Sequence, residues 1–214
     1  MLIILIFVFG LFLGSMAQWF AYKIPKEDDE TITSKIKKCF KYTKKIANKR
    51  MIVSILIGTV YCMLYINYKL GIDFFRYSSV CTILFIVALI DYKTKDVYFS
   101  TICIAAALSI AFIIVGYLNG ISIKSYVFAG VSVGIFSTTL AALNIIGWGD
   151  VEIFIVCGLL VGMYKLAIVV FISIVLCGGY GIYTLIRKNG KKGLRVAFGP
   201  YIVFALILVT IFVK

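Results

Sequence analysis

Eight stretches of nearly uninterrupted apolar residues, joined by mostly short polar links, constrain this chain more than any other feature. They run over residues 2–21, 51–68, 74–90, 97–118, 125–145, 151–164, 166–186 and 197–213. A bilayer core of about 30 Å takes about 20 apolar residues per helical span. Inside it only helices and closed barrels satisfy their own backbone groups, and runs of this length suit helices. Composition agrees: 63% of the 214 residues are apolar or aromatic and 14% are charged. A soluble globule of this size has too little interior to hide that much apolar surface. A disordered chain is poor in such residues. The expectation is an all-α integral membrane protein, a single polytopic domain over 1–214, built as a bundle of about eight transmembrane helices. The junction at Lys165 is the weakest, so a seven-span reading stays open. The first run reads as a span and not as a cleaved signal peptide, because no positive charge precedes it and the first lysine is Lys23.

The charge is lopsided, with 22 Lys+Arg against 9 Asp+Glu. In a soluble protein this would point to nucleic acid. In a membrane protein, Lys and Arg collect in cytoplasmic loops, so no nucleic-acid partner is expected. With the N-terminus outside, links 22–50, 91–96, 146–150 and 187–196 are cytoplasmic and hold seventeen of the 22 positive residues. Five remain outside: Lys69, Arg76, Lys124, Lys165 and Lys214. The long 22–50 link opens with Glu27, Asp28, Asp29 and Glu30 and continues as a lysine-rich segment. Residues 34–49 pattern as a basic interfacial helix with Ile36, Phe40 and Ile46 on its apolar side, suited to anionic lipid.

The chain has no histidine. That removes Ser-His and Cys-His nucleophile pairs, HExxH zinc sites and histidine proton relays. Six cysteines occur without a CxxC pair, and five lie in apolar stretches. They read as small core residues, with neither a disulfide framework nor a metal site expected. The pairs Gly10/Gly14, Gly130/Gly134 and Gly158/Gly162 allow close helix approach in lipid. Pro25 follows the first span and Pro200 opens the last.

Few acids remain to carry chemistry. The 27–30 cluster is solvated, and Asp73 reads as a cap on the helix that follows it. Asp91 ends an apolar run, and Asp150 follows Gly147-Trp148-Gly149 and begins another. An acid at the hydrocarbon edge is costly and tends to mark function; the plain alternative is an interfacial acid or, for Asp150, an N-cap. Topology strengthens the functional reading. Spans four and five carry the chain out and back between them, so both carboxylates lie at one leaflet edge. Two carboxylates at one depth share a proton and form an acid/base pair able to activate water against a peptide carbonyl. Such a pair needs neither His nor metal. Gly147 and Gly149 leave room for sharp backbone entry and close approach of another chain.

At this point the sequence resembles the type IV prepilin peptidases, intramembrane aspartic proteases with a GxGD motif. Gly10-Leu11-Phe12-Leu13-Gly14-Ser15, followed by Ala21-Tyr22-Lys23-Ile24-Pro25, looks like the family's first span and its exit. Leu89-Ile90-Asp91-Tyr92-Lys93-Thr94-Lys95 looks like the stretch around the first catalytic Asp, and Gly147-Trp148-Gly149-Asp150-Val151 is similar to the motif holding the second. Phe198-Gly199-Pro200-Tyr201 looks like the opening of the last span. The resemblance implies that Asp91 and Asp150 are catalytic, supported by Gly147, Gly149, Lys95 and Asp96. Gly14, Ser15, Phe198, Gly199 and Pro200 are structural parts of the pattern. It further implies a prepilin or pseudopilin substrate, cut at the cytoplasmic face of the cell membrane between a basic leader and the hydrophobic pilin stem. Many members also N-methylate the new terminus with S-adenosylmethionine, and proteolysis itself takes no cofactor. The chain departs from the family at two places. Val97-Tyr98-Phe99 stands where Ile-Pro-Asn is usual, and the first cytoplasmic loop has Cys39 alone where many bacterial members carry paired CxxC zinc ligands.

Two other classes fit an acidic pair in a membrane. A small proton- or cation-coupled transporter would place its acids near the midplane on broken helices, often within an inverted repeat; here they end helices on one side, and no repeat is visible. A non-catalytic subunit of a pilus or secretion machine would carry them as interfacial acids only. Oligomeric state is not legible.

Overall fold

A computed structural model describes residues 1–23, 51–187 and 196–213. The 27–30 acid cluster, the basic helix expected over 34–49, Pro25, Cys39 and Lys214 lie outside them. Among the described residues there are eight helices and no strand. They are α1 (Leu2–Lys23), α2 (Met51–Tyr68), α3 (Ile72–Thr94), α4 (Phe99–Leu118), α5 (Lys124–Ala142), α6 (Trp148–Val161), α7 (Met163–Arg187) and α8 (Gly199–Phe212).

Long Leu/Ile/Val/Ala runs without proline close every backbone bond within the helix, as lipid demands. Buried hydroxyls turn back on their own helices, Ser109 donating to the Ala105 carbonyl at 2.9 Å and Ser137 to the Val133 carbonyl at 2.6 Å. Six of the helices, α1 to α5 and α7, are long and apolar enough to cross a membrane. The other two, α6 and α8, have 14 residues each, roughly 20 Å of helix against a core of about 30 Å. The expected eight helices are present, but these two are short.

The most enclosed long span is α3, and it packs against α1, α4, α6 and α8. Leu64, Leu84, Ile153, Leu160, Ile202 and Leu206 fill the interior, each fully buried. The close pairing of α5 and α6 uses the glycine spacing: a Cβ on Gly158 would lie 2.9 Å from the Gly130 backbone.

Two local expectations are corrected, and one residue has unexpected surroundings. The break between α6 and α7 falls at Gly162, not at Lys165, which lies inside α7. Gly162 has φ +76°, a conformation that side chains resist, so α6 and α7 are separate helices. Asp73 is not the cap of α3. Gly71 is, while Asp73 sits in the first turn and pairs with Arg76 at 3.0 Å. Arg76, counted among the outer positives, is buried, with its guanidinium 4.8 Å from the ring centres of both Tyr77 and Tyr126.

Candidate active site

Both acids arrive at one end of the bundle because α4 and α5 form an out-and-back pair between them. Asp91 lies in the last turn of α3 and is buried. Its Oδ2 accepts the backbone N–H of Gly199 at 2.9 Å. Gly199 begins α8, so the carboxylate caps an N-terminus whose first N–H groups have no helical partner and whose dipole favours negative charge. A Cβ on Gly199 would lie 2.6 Å from that oxygen, so a side chain there would displace the carboxylate or the helix start. Pro200 follows in the first turn, where its missing N–H costs nothing.

Asp150 is the third residue of α6, three places past the N-cap. Its Oδ2 accepts the N–H of Gly147, the true N-cap, at 3.1 Å, and its own N–H reaches back to the Gly147 carbonyl at 3.1 Å. The side-chain bond is the returning half of a capping box. Asp150 lines a groove together with Phe198, the residue before the glycine that binds Asp91. The start of α8 links their helices: Phe198 stacks edge-on against Phe154 of α6 at 5.7 Å, while the next residue binds Asp91.

A groove of about 410 Å³ opens beside Asp150, lined by Gly147, Phe154, Ile174, Cys177 and Phe198 among others. Val196 lines this groove and also a second one of about 610 Å³, which holds Lys95, Pro200, Tyr92, Tyr180 and Tyr201. Asp150 thus stands at the edge of apolar space, where a polarised peptide carbonyl would feel its charge strongly, while Asp91 is buried and lines neither groove.

The expected support residues divide. Gly147 and Gly149 flank Asp150 directly. Lys95 acts through its backbone, ending α3 in a left-handed turn with φ 61° and returning its N–H to the Asp91 carbonyl at 2.8 Å. Asp96 is exposed on the link after α3, where its N–H bonds the Thr94 hydroxyl at 3.3 Å. Gly14 and Ser15 do not join the acids. They pack on α2, with the Ser15 and Ser54 hydroxyl oxygens 3.3 Å apart. The sequence reading overlooked Phe154 and Cys177. Phe154 was accessible to it, being one helical turn past Asp150 on the same face; Cys177 was not, because nothing local ties α7 to the site.

Residues 78–182 match the type IV leader peptidase family. The match takes in both acids and bears out the resemblance read from the motifs. It leaves the α1 stretch and the Phe198 stretch outside. No curated protein and no solved structure was found similar to the chain. The family matched is one of peptidases. Among the described residues no three His, Cys, Asp or Glu side chains gather as metal ligands. The groove beside Asp150 is apolar except for Asp150, Ser137 and Cys177, and the Ser137 hydroxyl is committed to Val133. These residues of the groove do not fit a nucleoside cofactor such as S-adenosylmethionine.

Proposed function

We propose that the chain is an aspartic endopeptidase that removes the basic leader from type IV prepilins or pseudopilins at the cytoplasmic membrane face, with Asp91 and Asp150 as its catalytic pair. The observation that carries this reading is that both acids lie within the segment that matches the family, with Asp91 bound to Gly199 at the start of α8 and Asp150 lining the groove that Phe198, the residue before it, also lines. One carboxylate takes a proton from water as the water attacks the scissile carbonyl, and the other, protonated, supports the developing oxyanion and then the leaving amine. The start of α8 holds Asp91 and the start of α6 holds Asp150, so neither side chain must be ordered when substrate arrives.

A transporter would need its acids accessible in turn from both sides, whereas these lie together at one end. The cytoplasmic placement rests on the positive-charge count, since both acids share an end with the Lys-rich links. N-methylation of the new terminus, a second activity in many relatives, would be read as a methyl mass gain on the cleaved stem. The deciding experiment is a cleavage assay with a membrane-anchored prepilin. Leader removal by the wild type and none by Asp91→Asn or Asp150→Asn supports the reading. Undiminished cleavage by either variant sinks it.

A further inference from the structure

We propose that Val97 is a positioning residue that sets the spacing of the two carboxylates by seating its isopropyl group where Gly149 has no side chain. The inference rests on the reading of Asp91 and Asp150 as the peptidase pair.

Gly149 lies in the first turn of α6 and is not among the positive-φ glycines. Its backbone therefore does not call for glycine; its neighbour does. A Cβ built on it would stand 2.6 Å from Val97 Cβ and 2.7 Å from Val97 Cγ2, and the third nearest atom is Val97 Cγ1 at 3.5 Å. Real carbon atoms do not approach so closely. Val97 belongs to the link between α3 and α4 and packs on the buried core. It also opens the tripeptide at which this sequence departs from the family pattern, so the contact belongs to this chain's own residues.

The contact joins two rigid segments. On one side the chain from Asp91 to Asp96 is locked by its own hydrogen bonds. Lys95 N–H returns to the Asp91 carbonyl at 2.8 Å, the Thr94 hydroxyl donates to the Ile90 carbonyl at 2.9 Å, and Asp96 N–H reaches that hydroxyl at 3.3 Å. Val97 is the next residue. On the other side Gly149 adjoins Asp150, whose carboxylate is fixed on the Gly147 N–H. The link after the first acid and the turn before the second therefore meet at Val97 and Gly149. The α8 start that holds Asp91 meets α6 at Ile153 and Phe154, further along the helix than Gly149. A gain or loss of one methyl at the Val97 contact changes the carboxylate separation, and a misplacement near 1 Å costs about 100-fold in rate.

The test is a compensation experiment on the full-length enzyme in membranes, with the amount of enzyme measured for each variant. Gly149→Ala alone should lower kcat about 100-fold, and Val97→Gly alone about 10-fold, each with KM within about threefold of wild type. The double variant should recover at least about tenfold over Gly149→Ala alone, because the space lost to the new methyl is returned. A double variant no better than Gly149→Ala, or Val97→Gly with wild-type kcat, overturns the inference. A rise in KM with kcat intact also overturns it, since that marks a substrate contact and not a spacing role. If Asp91→Asn or Asp150→Asn still cleaves, the peptidase reading itself has failed, and this inference with it.

Discussion

The Asp91 carboxylate accepts the backbone N–H of Gly199 at 2.9 Å, across 108 positions of sequence. This bond makes the start of α8 part of the acid's setting, and it explains a glycine that lies outside the segment matching the family. Gly199→Ala places a methyl 2.6 Å from the acid's oxygen. The carboxylate or the helix start must then shift. Cleavage should fall by about 10- to 100-fold, on the scale of an Å-sized displacement. Prepilin turnover with the protein amount held equal checks it, and wild-type turnover would show that the bond is dispensable.

Asp91→Asn and Asp150→Asn should each remove prepilin cleavage while leaving protein in the membrane. Asn keeps the shape but exchanges no proton, and a single acid or base step is worth about 10²–10⁴ in rate. Paired groups fail together, so the double variant should be no worse than either single one. Asp96→Asn should lose part of the activity at most, because that side chain stands on the exposed link. A dead Asp96→Asn beside an active Asp91→Asn would move the assignment.

Asp73→Asn is a stability variant as well as a control for cleavage. Its carboxylate is the ion-pair partner of Arg76, whose side chain is 6% exposed. Because Asp73 is itself half-exposed, the pair is worth about 1 kcal/mol. The variant should melt a few degrees lower in detergent while its cleavage rate at low temperature stays at the wild-type level. An unchanged melting point would mean that Arg76 is held by Tyr77 and Tyr126 alone.

Gly162→Ala should destabilise the protein by about 1–3 kcal/mol, the range for a side chain forced into a sparse backbone region. Gly162 has φ +76°, and a Cβ there would also lie 3.0 Å from Ser125 Oγ. A thermal melt checks this. An unchanged midpoint would show that the backbone at Gly162 accepts a side chain without cost.

Single cysteines placed at Asp96 and at Asn119, in an otherwise cysteine-free chain, should label differently. The first lies at the acid end of the bundle and the second at the opposite end, after α4. An impermeant maleimide added to intact cells should modify the Asn119 position only. Labelling of the Asp96 position from outside would reverse the orientation drawn from the positive charges.

Hydropathy alone determined the membrane class, the helical content and the eight segments, because burial in lipid is a local property of about 20 successive residues. The order of the spans put Asp91 and Asp150 at one end, and their motifs pointed to the family. Other features depended on packing between distant residues. Gly199 on Asp91, Val97 against Gly149 and Phe198 against Phe154 are contacts between different segments, and no periodicity encodes them. The break at Gly162 was hidden because apolar residues continue on both sides of it, and hydropathy cannot see a backbone angle. The burial of Arg76 was not legible, because a charge count says nothing of the two tyrosine rings and the carboxylate that tertiary structure gave it. Local composition decides which segments enter the bilayer, and only side-chain packing decides which of their polar groups meet there.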